Sequence, residues 1–214
     1  AIKNKFKYVL TGANYSTECI REPLEWNYHT SDLRQTLDIH KKFGTRPLET
    51  YPTADILKFK IYYRFVKGLK VVKPLNYFPY EMEAAVETLS KKYGWMPYRH
   101  KHHESRFTRF FEAYWLPNKF GFDKRKVHFS SLILTEQMTR EEALKRIQEP
   151  EYDQESIHDD FEFIATKLDI EVKDLRVLMQ APNKKYSDYK NKMWLISLGT
   201  MVLKLLGEEK GNFR

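Results

Sequence analysis

Only two stretches of this chain have the pattern of β-strands, and they lie far apart in the sequence. Residues 6–11 form a short apolar run that ends at Gly12, and residues 69–73 form a second run that Pro74 closes. Two strands so widely separated do not make a stable sheet by themselves. We therefore expect further strands of an α/β sheet to come from residues that precede this chain or from a partner.

Helical periodicity dominates the rest of the sequence. The clearest case is a set of apolar residues at i, i+3, i+4, i+7 and i+11 counted from Met82, in a helix that we expect to begin at Pro79 and end at Gly94. We expect further helices over residues 31–43 with Ser31 as N-cap, and over 54–66, 104–115, 139–149, 157–168, 172–179 and 188–206. An ordered loop is expected after Trp115. The 139–149 helix is expected to begin with a capping box of Thr139 and Glu142, with Met138 packed over Ala143. The 54–66 helix is apolar on all sides, which predicts burial on more than one side. With the two strands, we expect an α/β fold class overall, in which this chain is predominantly α-helical.

A basic and aromatic stretch runs from Arg99 to His128. It contains eight Lys/Arg, three acids and four of the seven histidines, with aromatic residues between them. An ordinary surface segment mixes both signs of charge and has few rings. The pattern favours a partly enclosed, positively charged pocket that binds an anion such as phosphate, pyrophosphate or carboxylate. A solvated helix whose rings pack on the core is the alternative. We expect no metal at the nearby histidines, because Lys101 lies among them and no Cys or spaced Asp/Glu completes a ligand set.

The net charge of +8 predicts an anionic partner: a nucleotide, a nucleic acid, an acidic sugar or a membrane surface. A single cysteine, Cys19, excludes an internal disulfide and fits a reducing cytoplasm. The first residues lack the apolar segment of a signal peptide, and the most apolar run, 193–206, is too short to span a bilayer. We expect a cytoplasmic location and no membrane partner.

Several motifs occur in one order over about half of the chain. They are Ser31-Asp32-Leu33-Arg34, residues 39–46, the block 101–109, Tyr114-Trp115-Leu116-Pro117 with Lys119-Phe120-Gly121, Asp123-Lys124-Arg125, His128 with 130–133, and residues 138–144. Together they resemble the N-acetyl sugar amidotransferases, PP-loop ATPases that act in bacterial surface-polysaccharide and flagellar-sugar biosynthesis. The turn 10–14 also looks like the strand-end turn of PP-loop folds, and Lys73-Pro74-Leu75 looks like a segment that follows a late strand there.

The chain departs from this family at one decisive point. The pyrophosphate loop itself, Ser-Gly-Gly-x-Asp-Ser after the first strand, is absent from the sequence. The resemblance is therefore to the C-terminal half of such an enzyme. We expect residues 1–78 to be the last part of the nucleotide-binding α/β domain, with only its last strands present. Residues 79–214 would then be a helical C-terminal domain. The chain alone should be inactive, with no ATP–pyrophosphate exchange, until the half that carries the PP-loop is added.

The resemblance implies a reaction in lipopolysaccharide or O-antigen biosynthesis. In the family, ATP activates the acetamido group of a sugar, ammonia attacks, and an acetamidino group remains. The implied cofactors are ATP and Mg²⁺, neither of them fully bound by this chain alone. The implied partners are a nucleotide-activated acidic amino sugar, glutaminase and cyclase-like ammonia-channel subunits, and the missing PP-loop half. The channel subunits would deliver the ammonia, and Cys19 beside Glu18 is not expected to hydrolyse glutamine.

The same resemblance assigns roles to particular residues. Lys101 and Arg106 are predicted to be catalytic by stabilising the charge of the leaving pyrophosphate, and His103 and Glu104 by orienting ammonia or moving its proton. Glu104 as a structural counter-ion is an equal alternative. Binding of the pyrophosphate or sugar nucleotide is predicted for Arg109, Lys119, Lys124, Arg125 and His128, and nucleotide binding for Gly12, Asn14 and Lys73.

Two other functions remain open at this point. The charge and the interleaved rings also fit the RNA-binding half of a PP-loop tRNA-modification enzyme. However, such a protein usually has an extended basic face rather than one central stretch, so we do not expect a nucleic-acid partner. The chain is alternatively a non-catalytic scaffold half that completes the fold of a separate catalytic chain.

Overall fold

A computed structural model describes residues 1–23, 26, 28–29, 31–97, 104–152 and 155–205, without the side chains of Leu203 and Lys204. Its strands are β1 (Tyr8–Leu10) and β2 (Lys70–Val72). Its α-helices are α1 (Tyr15–Glu18), α2 (Leu33–Phe43), α3 (Met82–Tyr93), α4 (Arg106–Arg109), α5 (Leu116–Phe120), α6 (Arg125–Leu134), α7 (Arg140–Gln148), α8 (Ile157–Leu168), α9 (Val172–Gln180) and α10 (Met193–Leu205). Lys58–Val66 and Phe110–Trp115 are π-helical, and Ile2–Asn4, Pro74–Tyr77 and Tyr186–Asp188 are 3₁₀ turns.

The prediction of a mainly helical chain with two short strands is confirmed for the described residues. The strands pair with one another in parallel, with Val9 opposite Val71. Several boundaries differ from the predicted ones. Helix α2 is capped by Asp32 rather than Ser31, because the Asp32 carboxylate accepts the Gln35 amide hydrogen bond at 3.2 Å. Helix α3 begins at Met82 rather than Pro79, and the last helix begins at Met193 rather than near residue 188.

The expectation of a loop after Trp115 is wrong. Helical structure continues without a break from residue 106 to residue 120. A proline inside a helix lacks one amide donor and crowds the preceding turn. Here the turns before Pro117 are π-helical, and the Leu116 amide donates to the carbonyl of Phe111, five residues earlier. The wider π-helical turns therefore lie directly before the proline. Gly121, with a φ of 73°, ends the helix.

The chain divides into two compact units. Unit 1 comprises residues 1–11, 27–72 and 184–214, and unit 2 comprises residues 12–26 and 73–183. These units follow from contacts within the folded chain. The predicted division after residue 78 concerned domains of a longer enzyme and stays a prediction.

Unit 1 is organised around a buried carboxylate. Asp32 is fully buried, and its carboxylate accepts hydrogen bonds from the Tyr186 hydroxyl and, at 2.6 Å, from the Lys192 amide. Burial and the bond to Asp32 both raise the pKa of Tyr186. Lys192 also bonds Asp55 at 2.5 Å. These bonds fasten the segment that leads into α10 to the start of α2.

The predicted burial of the 54–66 helix is wrong for this chain. Ile56 is buried, but no residue of the π-helix Lys58–Val66 is, and Phe65 and Val66 are strongly exposed. Apolar residues do lie on all sides of this helix, but the described residues of unit 1 supply no second layer to cover them.

The described residues of unit 2 form two apolar cores. The larger one joins the helical segment 106–120 to α8 and α9 through Phe110, Phe161, Ile164 and Leu175. The smaller one joins α6 to α7, and in it Met138 packs with Ala143 as predicted. Thr139 caps α7 by accepting the Glu142 amide at 3.1 Å, which confirms half of the predicted capping box.

Candidate functional site

A cavity with a volume of about 990 Å³ lies within unit 2. Ligand sites in proteins usually have volumes of a few hundred to about a thousand Å³, so this cavity has the size of a binding site. Its walls are α1 and the residues after it, one face of α3, the start of α6 and the end of α7.

The apolar wall of the cavity comes from α3. Met82, Ala85, Val86 and Leu89 all line it, and they are the first four positions of the pattern that predicted this helix. The amphipathic pattern was therefore correct, although it marks a cavity wall rather than a face packed into a core. Gly94 ends the helix with a φ of 66°, as predicted. Trp95 then adds an aromatic side chain to the same wall.

The charged residues that line the cavity are more acidic than the sequence predicts. Among the described lining residues, the bases are Lys124, Arg125 and Arg146, and the acids are Glu18, Glu22, Glu104, Glu112, Glu149 and Glu151. These acids outnumber the bases. Residues 98–103, which include Arg99 and Lys101, lie outside the described residues, and so does the predicted catalytic His103. The positive pocket predicted for the whole basic stretch thus stays a prediction.

Lys124 lies between two glutamates on the cavity wall. Its Nζ is 2.8 Å from Glu112 and 3.0 Å from Glu22. Burial alone would lower the pKa of Lys124, but the hydrogen bonds to Glu112 and Glu22 outweigh it and raise the pKa. The ammonium group is therefore charged and held in one place. It can donate a hydrogen bond to a ligand, but its charge is already balanced.

Arg125 closes the end of a helix. Its guanidinium bonds Asp123 at 2.8 Å, approaches Glu151 at 3.5 Å, and donates to the carbonyls of Arg146, Ile147 and Glu149 at the end of α7. The hydrogen bond to Asp123 is the main reason that the pKa of Arg125 is raised. These bonds satisfy carbonyls that a helix leaves without partners at its end. Arg125 therefore has a structural role that its position in a basic run did not predict.

Arg106 and Arg109 both bind one buried carboxylate. Arg106 Nε donates to Asp160 Oδ1, and Arg109 Nη2 lies 2.6 Å from Asp160 Oδ2. The hydroxyl of Tyr152 donates to the same carboxylate. Burial alone would raise the pKa of Asp160, but the bonds from Tyr152, Arg106 and Arg109 outweigh it and hold the pKa below its ordinary value. Neither arginine lines the cavity.

Lys119 lies at the end of another helix. Its Nζ donates to the carbonyls of Leu178, Met179 and Ala181 at 2.8, 3.1 and 2.8 Å. These carbonyls belong to the last turn of α9 and the residue after it, where a cation is favourable. Three bonds use all three donors of an ammonium group. The predicted pyrophosphate contact at Lys119 would have to replace these bonds.

The three residues predicted to bind nucleotide follow the two strands. Gly12 and Asn14 follow β1, and Lys73 follows β2. The Asn14 side chain caps the short α1 by accepting the Thr17 amide at 2.9 Å, and it donates to the Gly12 carbonyl at 3.3 Å. The Tyr15 amide donates to Asn76 at 2.8 Å, so the two segments after the strands lie side by side.

The described segments that follow the strands lack the features of a complete site for ATP and Mg²⁺. Helix α1 has only four residues, and the Asn14 side chain is already used in its cap. In the described part of the chain, no group of three or more His, Cys, Asp or Glu is placed to hold a metal ion. The described residues therefore do not by themselves fit a complete ATP–Mg²⁺ site.

The structure therefore divides the predicted site residues. Glu104, Lys124, Arg125 and His128 line the cavity together. Arg106, Arg109 and Lys119 take part in ion pairs and helix caps away from it. Sequence reasoning missed Glu22 and Glu112 as cavity residues. Each is far from Lys124 in the sequence, so no local spacing links them.

Residues 104–202 match one protein family, described as LPS biosynthesis protein WbpG-like, C-terminal domain. This match supports a WbpG-like C-terminal half and suggests a role in lipopolysaccharide biosynthesis. It begins at Glu104 on the cavity and includes α4 to α9 and most of α10. No curated protein and no solved structure matches the chain significantly. Each helix that the structure describes is too short or too polar to cross a membrane.

Proposed function

We propose that this chain is the C-terminal half of an enzyme that converts an acetamido group of a nucleotide-linked sugar to an acetamidino group during lipopolysaccharide biosynthesis. The match of residues 104–202 to the WbpG-like C-terminal domain carries the proposal. The reaction itself comes from the resemblance of the sequence motifs. It takes place in the cytoplasm and consumes ATP and ammonia.

We assign the sugar substrate to the cavity of unit 2. Its volume of about 990 Å³ accommodates a sugar with part of its nucleotide. The apolar face of α3 and Trp95 can pack against the carbon-bound side of a sugar ring, while the glutamates accept hydrogen bonds from hydroxyl groups. On the cavity wall, Lys124 is bonded to both Glu22 and Glu112. These three side chains therefore present donors and acceptors in fixed positions.

The described cavity wall carries more acids than bases, so we assign the acetamido end of the substrate to it rather than the pyrophosphate. An anionic pyrophosphate is disfavoured beside more carboxylates than cations. The acetamido group of the sugar is neutral, and the amidino group of the product is a cation. We therefore place the acetamido end of the substrate against this wall and the pyrophosphate away from it. Ammonia is delivered by glutaminase and cyclase-like channel subunits, and ATP and Mg²⁺ are held mainly by the half that carries the PP-loop.

The RNA-binding alternative needs an extended surface of available cations. In the basic stretch, however, five cations are bonded to carboxylates or backbone carbonyls within unit 2. They are Arg106, Arg109, Lys119, Lys124 and Arg125. These bonds favour the enzyme half over an RNA-binding half. Absorbance at 260 nm of the purified protein at low and high salt tests this choice directly, since an RNA-binding half would retain nucleic acid at low salt.

The proposal is tested by deleting the gene in a bacterium that carries it and analysing the lipopolysaccharide sugars by mass spectrometry. We expect the acetamidino sugar to be replaced by its acetamido precursor, and the wild-type gene to restore it. Ala85→Trp fills the cavity from α3, whereas Ala84→Trp places the same ring on the exposed face of that helix. Only the Ala84 variant should restore the acetamidino sugar.

The thermal unfolding of both purified variants serves as the control for folding. Unchanged sugar composition after the deletion would refute the proposed function. Full restoration by a folded Ala85→Trp protein would leave the function standing but would remove the cavity as its site. A scaffold role predicts that both tryptophan variants restore the sugar equally.

A further inference from the structure

The described bases on the wall of the unit 2 cavity differ in the hydrogen-bond donors that they have left. Arg125 uses all five N–H groups of its guanidinium, on Asp123 and on carbonyls at the end of α7. Arg146 is paired with Glu142 on its own helix, and because its side chain is 49% exposed, water competes for its donors. Of the described bases on this wall, Lys124 is therefore the one best placed to bind a ligand.

Lys124 has one donor left, in a fixed position. An ammonium group has three N–H donors. Two of them are directed at Glu112 and Glu22, at 2.8 and 3.0 Å, and both carboxylates are only partly exposed. Within the described residues, no bond from the third donor is found. The side chain of Lys124 is 31% exposed and lines the cavity, so this donor is available to a ligand there.

The charges around this donor determine which ligand group it can bind. Lys124 and its two carboxylates together carry one negative charge, so a further anion is disfavoured beside them. A neutral oxygen that accepts a hydrogen bond has no such penalty. The carbonyl oxygen of an acetamido group is an acceptor of this kind.

The reaction proposed above changes this same atom. The carbonyl oxygen of the acetamido group is replaced by nitrogen, and the amidino group of the product is a cation. A protonated amidino group has N–H donors and no acceptor, so it would direct donors and positive charge at the ammonium of Lys124. The carboxylates of the wall, in contrast, attract a cation. Without Lys124 the wall would therefore favour the product over the substrate.

We propose that Lys124 distinguishes the substrate from the product, by donating its third N–H to the acetamido oxygen and repelling the amidino group that replaces it. Glu22 and Glu112 are positioning residues, because they hold the ammonium group in place. This role rests on the proposed function, since that reaction supplies the two groups that Lys124 distinguishes. It also opposes retention of the cationic product by the acids of the cavity.

The test uses two probes that differ only at this group. One is UDP-N-acetylglucosamine, and the other is its acetamidino analogue, made from UDP-glucosamine with ethyl acetimidate. Binding of each probe to the full chain is measured by isothermal titration calorimetry at neutral pH. The measured quantity is the affinity for the acetamido probe divided by the affinity for the acetamidino probe.

Three variants test the assignment. Lys124→Met removes the donor and its charge and should lower this affinity ratio by about tenfold or more, as expected for the loss of a hydrogen bond from a charged donor. Glu112→Gln keeps an oxygen that accepts from Lys124 but removes one negative charge, so it should raise the ratio by about threefold. Lys126→Met is the matched control at an exposed position of α6 and should change the ratio by less than about twofold.

Thermal unfolding of each variant shows whether it is folded. An unchanged ratio in folded Lys124→Met, equal weakening of both probes, or no binding of either probe to the wild type would overturn the assignment. If Lys124→Met does not fold, Glu112→Gln decides, and an unchanged ratio there overturns it.

The gene deletion described above tests the proposed function separately. An acetamidino sugar that persists after the deletion would refute the reaction, whereas the probe measurements would still show whether Lys124 discriminates between the two groups. Loss of the acetamidino sugar together with an unchanged affinity ratio in Lys124→Met would refute only the role of Lys124.

Discussion

Replacement of Asp160 by Asn should strongly destabilise unit 2, because a buried carboxylate that accepts bonds from three side chains is lost. Asp160 is fully buried and receives hydrogen bonds from Arg106, Arg109 and Tyr152. Asparagine removes the negative charge and also turns an NH₂ group toward donors. Removing one partner of a buried ion pair usually costs 3–5 kcal/mol. Because the two arginine side chains are 41% and 33% exposed, solvent compensates part of this loss, and we expect about 3 kcal/mol.

The assay is urea unfolding followed by circular dichroism and by tryptophan fluorescence. Trp115 packs against the core that contains Phe161, so its fluorescence reports on the unfolding of this part of unit 2. Asp159→Asn is the matched control. Asp159 is the exposed neighbour of Asp160 in the first turn of α8, and its replacement should cost less than about 1 kcal/mol.

The pH dependence provides an independent check. Because the folded state lowers the pKa of Asp160, its carboxylate stabilises the protein above its ordinary pKa of about 3.9. This contribution is lost as the pH falls through the lower, folded-state pKa. The stability difference between the wild type and Asp160→Asn should therefore be constant near neutral pH and shrink below about pH 4. If Asp160→Asn is as stable as Asp159→Asn, the two arginines are not held by this carboxylate, and they become candidates for anion binding again.

Three further substitutions test other contacts. Lys119→Met should lower the unfolding free energy by about 1.5–3 kcal/mol, because a charged donor to three carbonyls at the end of α9 is lost. Lys167→Met, on the exposed face of α8, is the control and should have little effect. Urea unfolding measures both variants. Thr139→Ala should cost about 1 kcal/mol in the same assay, because the N-cap of α7 is lost. Because the folded state raises the pKa of Lys124, its stabilising contribution is fully present below its ordinary pKa of about 10.4 and is lost as the pH rises through the folded-state pKa. The difference in unfolding free energy between the wild type and Lys124→Met should therefore persist at neutral pH and decline only above about pH 10.

The sequence predicted those parts of the fold that depend on local patterns. The spacing of apolar residues from Met82 located α3 and its cavity-lining face, and Gly94 located its end. The Thr139 capping motif located the start of α7. These signals are local because helix periodicity and capping involve residues within one or two turns.

The sequence could not predict which cations are used inside the fold. Arg106, Arg109 and Lys119 resembled an anion site because they alternate with rings, but their partners come from α8 and from the end of α9. Asp160 lies 54 residues from Arg106 and 51 residues from Arg109 in the sequence. The carbonyls that Lys119 binds have no sequence signature. The acidity of the cavity was missed for the same reason, since Glu22 and Glu112 meet Lys124 only after folding.

The measurement that tests the central claim most directly is incorporation of nitrogen from labelled ammonium into a nucleotide-linked acetamido sugar, detected by mass spectrometry. The chain is assayed alone and together with the protein that carries the Ser-Gly-Gly-x-Asp-Ser loop. We predict ATP-dependent incorporation only with both halves, and use of glutamine in place of ammonium only when the glutaminase and channel subunits are added. No incorporation by the two halves with ATP and ammonium, or incorporation that does not require this chain, would contradict the account.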